Sequence, residues 1–184
     1  MRFLYLALFT LLIYTTVFIN AEAGVVSSLW KRGNTQQVPQ LGHGEKMVRG
    51  VNLGGWFILE SWMTPYLFPS SFEKKGIVDQ YTFMSRQSKN ASHSALTKHW
   101  QSWITETDFQ QIAAAGLNTV RLPVPHWAFN ASDKEPYWAY AEQPYISQAL
   151  LWAKQYNLDV MIDLHTAPRS QNGFDNSGRL GPSE

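Results

Sequence analysis

From residue 47 onward the apolar positions alternate between two periods. Residues 47–53 (MVRGVNL) have the character of a short strand and run into Gly54-Gly55, a turn that draws on glycine's conformational freedom. After a long insertion, Ser92 is placed to cap a helix reaching Trp103, with Leu96, His99, Trp100 and Trp103 along one side. Thr105 and Asp108 then make a capping-box pattern, with Asp in place of the usual Glu, and Ile104 and Phe109 are spaced as a hydrophobic staple. Phe109, Ile112, Ala113 and Gly116 follow one helix face to a glycine stop. Residues 117–122 (LNTVRL) predict a second strand, broken by Pro123 and Pro125. Pro144 opens a further helix as a first-turn proline. Ile146, Ala149, Leu150, Ala153 and Tyr156 keep its period, and Asn157 can end it. Residues 158–165 predict a third strand, with Leu158, Val160, Ile162 and Leu164 facing one way and Asp159, Met161, Asp163 and His165 the other.

Strand, helix and strand joined by very short returns give βα units and a parallel sheet. The third strand favours a closed barrel over an open sheet. Its apolar face suits helix packing, whereas Asp163 and His165 on the other face would be costly to bury without partners. The mouth of a barrel supplies partners and water. The predicted fold is therefore α/β, the first three βα units of a (β/α)8 TIM barrel. It is expected to be incomplete, because such barrels typically need about 250 residues. In this fold functional groups gather at the C-terminal ends of the strands and in the loops that follow. Glu60 follows the first strand, Arg121 lies at the end of the second and His165 ends the third. Asp175 and Asn176 fall in the next loop, so all five converge on one face.

Composition narrows the chemistry. The 184-residue chain is 45% hydrophobic and 16% charged, which places it among globular rather than disordered chains. Fifteen Lys and Arg against fourteen Asp and Glu leave a net charge of +1, without the basic excess of a nucleic-acid binder. The lack of cysteine excludes a disulfide framework, a thiolate metal site and a cysteine nucleophile. His43, His93, His99 and His126 show no ligand spacing, so no metal and no other cofactor is expected. The 8 Trp, 8 Tyr and 10 Phe suit a cleft that stacks on flat apolar faces such as those of sugars. Trp56 reads as core and Trp62 as a sugar platform. Arg121 has two compatible readings, an ion-pair partner for Asp163 and a direct role in the site.

The N-terminal segment reads as an address. Arg2, an apolar run over residues 3–19 and Ala21-Glu22-Ala23 describe a secretory signal peptide, residues 1–23. A retained membrane anchor is the competing reading, diluted by Thr10, Thr15 and Thr16. Residues 24–45 form an aperiodic propeptide or linker in which Lys31-Arg32 is a dibasic processing site, and the barrel portion follows over residues 46–184. Asn90-Ala91-Ser92 and Asn130-Ala131-Ser132 are acceptor tripeptides for glycosylation, in keeping with a secreted or cell-wall location.

The stretches RGVNLGGWFILESWMTPYLF, KHWQSWITETDFQQIAAAGLNTVRLPV and IDLHTAPRSQNGFDNSG resemble the opening third of fungal exo-β-1,3-glucanases of glycoside hydrolase family 5, in order and with similar spacing. The resemblance implies a secreted, monomeric, retaining hydrolase that acts on β-1,3-glucan from its non-reducing end. It implies that Glu60 hydrogen-bonds glucose hydroxyls in the innermost subsite and that Arg121 stands near the nucleophile, helping to keep a carboxylate ionised. His165 lines the same pocket, Asn176 with Asp175 closes its blind end, and Phe174 holds a sugar ring at the entrance. Thr166 and Arg169 depart from the pattern, standing where the family usually has glycine.

A retaining glycosidase needs two carboxyl groups about 5 to 5.5 Å apart. The family carries them at the ends of strands four and seven. The Asn-Glu-Pro context of the acid/base does not occur in this sequence. The chain is accordingly expected to be an N-terminal portion with no catalytic residue of its own, silent in hydrolysis when alone. A non-catalytic glucan-binding or wall-associated protein, using the same residues without cleavage, is the alternative.

Overall fold

The computed structural model describes residues 47–181; the expected signal peptide and propeptide lie outside them. Strand β1 (Gly50–Asn52) leads into an irregular, mostly buried turn and a 3₁₀ turn at Pro65–Leu67. Helices α1 (Ser70–Glu73), α2 (Gln80–Ser85), α3 (Lys89–Ser102) and α4 (Glu106–Ala114) follow. Strand β2 (Thr119–Val124), a 3₁₀ turn at His126–Ala128, helix α5 (Gln143–Gln155), strand β3 (Asp159–Leu164) and a last 3₁₀ turn at Asp175–Ser177 complete the order. The strands form one parallel sheet, β1-β2-β3, with Asn52 opposite Arg121, Arg121 opposite Met161 and Pro123 opposite Asp163. These are the expected βα units of the barrel.

Local signals explain most of the boundaries. At the start of α4 the Asp108 carboxylate accepts from Thr105 N at 2.7 Å and Thr105 Oγ1 at 2.8 Å, which satisfies donors the helix itself cannot. Gly116 ends the run at φ +80°, in the left-handed region where glycine is unstrained. Asn157, at φ 55°, does the same after α5.

Two expected boundaries shift. Helix α3 starts earlier than predicted, because Ser88 rather than Ser92 is the cap, with its Oγ accepting from Ala91 N. Ser92 sits inside the helix and donates back to the Ser88 and Lys89 carbonyls. Strand β2 runs through Pro123 instead of stopping before it. The reason is parity. Arg121 O accepts from Leu53 N on the β1 side and Val124 O accepts from His165 N on the β3 side, so Pro123 shares a side with Arg121. Its missing amide hydrogen faces ground that β1, ending at Asn52, has already left.

The core lies between the sheet and its helices. Val120, Leu122 and Val124 are fully buried with Phe109 from α4 and Ile146, Ala149 and Ala153 from α5. Trp56 belongs to this core, as expected, stacking on Phe57 at 4.5 Å and donating its indole N–H to Trp100 O. The apolar face of β3 is only partly covered: Leu158 is buried, but Ile162 and Leu164 are exposed. Helix α5 returns over the start of the strand, and among the described residues nothing packs on its far end. The loop after β3 is tied back to the second helix, where the Asp79 carboxylate accepts from Leu180 N and Gly178 O accepts from Tyr81 N and Tyr137 Oη. Gly178 permits this docking, since a β-carbon there would lie 2.5 Å from the Trp127 ring.

Candidate functional site

The polar face of the sheet carries a compact cluster. Arg121, Asp163 and His165 occupy neighbouring same-face positions on β2 and at the end of β3. The Asp163 Oδ2 accepts from Arg121 Nη2 at 2.5 Å and from His165 Nδ1 at 2.8 Å. Because a carboxylate only accepts, it places the His165 proton on Nδ1 and leaves Nε2 as an acceptor in the neutral ring. The 3.3 Å approach of Arg121 Nη2 to the same Nδ1 is then proximity between two donors. Arg121 Nη1 also reaches Asn52 Oδ1 at 3.4 Å across the sheet. Arg121 thus pairs with Asp163, the first of its two sequence readings, and its side chain also lines the pocket described next.

The pocket is an open concavity of about 310 Å³ at the ends of β1 and β2, in the lower part of the range for small-molecule sites. Its walls are the turn from Asn52 to Ile58, then Glu60, Trp62 and Met63, with Arg121, Pro123 and His165 on the sheet side. The Glu60 Oε2 accepts from Trp62 Nε1 at 3.1 Å, and the Trp62 ring is 71% exposed. An exposed indole whose N–H is held by a carboxylate offers one flat apolar face beside a fixed acceptor. That is what a sugar ring needs, since its C–H face stacks while its hydroxyls donate. The lining holds one carboxylate, Glu60, and two positively charged or chargeable groups, Arg121 and His165.

Of the residues singled out from the sequence, Glu60, Trp62, Arg121 and His165 come together around this pocket. Phe174, Asp175 and Asn176 do not line it. Phe174 is 63% exposed, Asp175 opens the 3₁₀ turn, and Asn176 Oδ1 accepts from Asn172 Nδ2. The loop that carries them is held to Asp79 and Tyr81 instead. Thr166 and Arg169, the two departures from glycine, differ in consequence. Thr166 is buried, with its Oγ1 accepting from His126 N and 2.8 Å from His126 Nδ1. Arg169 and Ser170 adopt positive φ angles of 73° and 123°, uncommon for residues with a β-carbon.

Asn52, Met63 and the backbone of the Gly54–Gly55 turn also line the pocket and were not singled out. Asn52 was findable, because it ends the first strand at the register of Arg121. Met63 carries no such signal. Among the described residues no group of three or more His, Cys, Asp or Glu is placed to hold a metal ion, and no helix is long and apolar enough to cross a membrane.

Comparison with known proteins places this geometry. The family model for cellulase (glycosyl hydrolase family 5) matches residues 79–180. Glucan 1,3-beta-glucosidase 2 of Wickerhamomyces anomalus is 53% identical over 134 residues, covering 71% of this chain and 31% of the relative. The glucan 1,3-beta-glucosidase of Blumeria graminis is 48% identical over 134 residues, covering 73% and 31%. The chain therefore spans about a third of the length of the curated relatives it matches. The crystal structure of rutinosidase from Aspergillus niger aligns with a TM-score of 0.66 at 24% identity, covering 73% of this chain and 37% of that one. At that identity the likeness speaks to the fold alone.

Proposed function

The chain belongs to glycosyl hydrolase family 5, and on that premise we propose that its pocket receives the terminal glucose of a β-1,3-glucan, as part of a secreted glucan 1,3-beta-glucosidase of the retaining type. The observation that carries the reading is the pairing of an exposed indole with a fixed carboxylate, Trp62 with Glu60, facing the Arg121–Asp163–His165 cluster across one concavity. Glu60 accepts from sugar hydroxyls, Trp62 stacks on the ring, and Arg121 supplies fixed positive charge at the sheet side. The names of the relatives support the substrate.

The pocket binds but does not cleave by itself. Retaining hydrolysis needs a second carboxyl group about 5 to 5.5 Å from the first. Among the lining residues Glu60 is the one carboxylate, and Asp163 behind them accepts from Arg121 and His165. Calorimetric titration with a β-1,3-glucan oligomer is expected to show saturable binding that Glu60→Gln weakens at least tenfold, with no glucose released over the same period. Equal binding by the Glu60→Gln variant, or steady glucose release by the wild-type chain, would contradict this assignment. A non-catalytic wall-binding role uses the same contacts and predicts the same titration. The two diverge if glucose release appears once the catalytic strands of a relative are supplied.

A further inference from the structure

One imidazole grips both ends of the loop that forms the pocket's outer wall. His99 projects from α3 and is 1% exposed. Its Nε2 lies 2.7 Å from Gly55 O and 3.0 Å from Trp56 O, and its Nδ1 lies 2.5 Å from Tyr66 Oη. Carbonyl oxygens only accept, so Nε2 carries a proton, and in the neutral ring Nδ1 accepts from the Tyr66 hydroxyl. The two carbonyls thus fix a single tautomer of the neutral imidazole. Burial favours that neutral form, holding the imidazole below the usual histidine range against the two carbonyl bonds, which favour the charged ring. Tyr66 is the titratable group it touches. Among the described residues no carboxylate, ammonium or guanidinium pairs with it.

The segment between these two anchors, residues 55–66, carries Glu60 and Trp62. Inside it Glu60 O accepts from Met63 N, Thr64 N and Thr64 Oγ1, so the loop is locally wound. From outside, Gln80 Oε1 accepts from Leu59 N at 2.8 Å in the first half of the loop, and both ends of the segment are fixed as well. Trp103 Nε1, one turn along α3, donates to Gly54 O at 2.9 Å and reinforces the first anchor. The second anchor depends on Tyr66, whose ring is 58% exposed and also leans on His99 and Trp103.

We propose that His99 is a positioning residue for the glucan pocket, clamping residues 55–66 into the conformation that presents Glu60 and Trp62. The inference rests on the sugar-binding reading above for its consequence, though not for its geometry. Removing the Tyr66 hydroxyl frees one end of the loop while leaving the surface ring in place. At about 0.5–1.5 kcal/mol for a net hydrogen bond, Tyr66→Phe weakens binding of a β-1,3-glucan oligomer about 2- to 10-fold. A glutamine at position 99 offers a donor nitrogen and an acceptor oxygen, as the neutral ring offers a donor and an acceptor nitrogen, and so His99→Gln retains more affinity than His99→Leu.

The test combines three measurements on the full chain. Ring nitrogen shifts of His99, without ligand at neutral pH, are expected to show the neutral Nε2–H form. Amide exchange at residues 57–63 is expected to speed up in Tyr66→Phe while exchange in α4 stays unchanged. Oligomer affinity is expected to fall in the order wild type, His99→Gln, His99→Leu. A protonated or Nδ1–H ring, or unchanged exchange at 57–63 in Tyr66→Phe, overturns the clamp whatever the ligand does. Absence of oligomer binding by a wild-type chain with the expected ring form and exchange overturns the sugar-site reading instead.

Discussion

Asp163 holds two donors on a single oxygen, and this shapes what the neighbouring side chains can do. With Asp163 in place, His165 keeps Nδ1–H and Arg121 keeps its orientation. Asp163→Asn weakens the pair with Arg121 and offers Nδ1 an amide in place of a carboxylate. It is expected to reduce unfolding free energy by about 1–3 kcal/mol, the range for loss of charge-assisted hydrogen bonds, as measured by urea denaturation. Arg169 provides a second residue-scale check. Its φ of 73° is left-handed backbone, and glycine relieves a cost of about 1–2 kcal/mol at an entropic penalty of about 0.5–1 kcal/mol. Arg169→Gly is therefore expected to raise the thermal midpoint slightly, and a lowered midpoint would show that the arginine's contacts outweigh the strain.

At this scale the site was legible only in part. Arg121 on β2 and His165 just after β3 are placed by strand periodicity, which fixes face and height, while Glu60 and Trp62 lie in the turn that follows β1, and those four meet at one pocket. Phe174, Asp175 and Asn176 lie on a loop. Its path is set by distant hydrogen bonds to Asp79, Tyr81 and Tyr137, which no local pattern encodes. His99 shows no ligand spacing in the sequence. Its role comes from contacts more than thirty residues away in sequence.

Among the elements, two buried titratable groups pull stability in opposite directions with pH. Glu142, at the N-cap of α5, is 2% exposed, and burial pushes its carboxyl up to about 8 against hydrogen bonds from Trp127 Nε1 and its own backbone amide. A raised carboxyl favours the protonated native state. Its contribution is complete below about pH 4.5 and is lost as pH rises through about 8. His99 has the opposite sign, since its lowered value means that the unfolded chain takes up the proton first and stability falls as pH drops below 6.5. Glu142→Gln is expected to flatten the decline between pH 4.5 and 8 in pH-dependent urea denaturation, leaving the acid-side loss attributable to His99.

Capping shows the same division between local and distant causes. The Thr105–Asp108 box was readable because both partners are within one turn. The Asp79 cap of α2 reaches further, its carboxylate accepting from Thr82 N at 2.7 Å and also from Leu180 N, distant in sequence. Asp79→Ala removes cap and loop anchor together and is expected to cost about 2–4 kcal/mol, the sum of a lost cap and a lost charge-assisted bond. Pro123 misled because a proline usually ends a strand, and its tolerance depends on where a neighbouring strand stops.

For the molecule as a whole, the parallel order and the helix layer follow from hydrophobic period alone. The exposure of Ile162 and Leu164 does not, because it depends on what packs beyond β3. The central claim is that three strand ends converge on one sugar pocket. A nitrogen-15 NMR titration with a β-1,3-glucan oligomer tests it most directly, by following the Trp62 indole and the Arg121 guanidinium signals together. Both are expected to shift along one saturation curve while the indole of the buried Trp127 stays still. Shifts confined to exposed aromatics outside the pocket, such as Tyr140, with Trp62 and Arg121 unmoved, would contradict it.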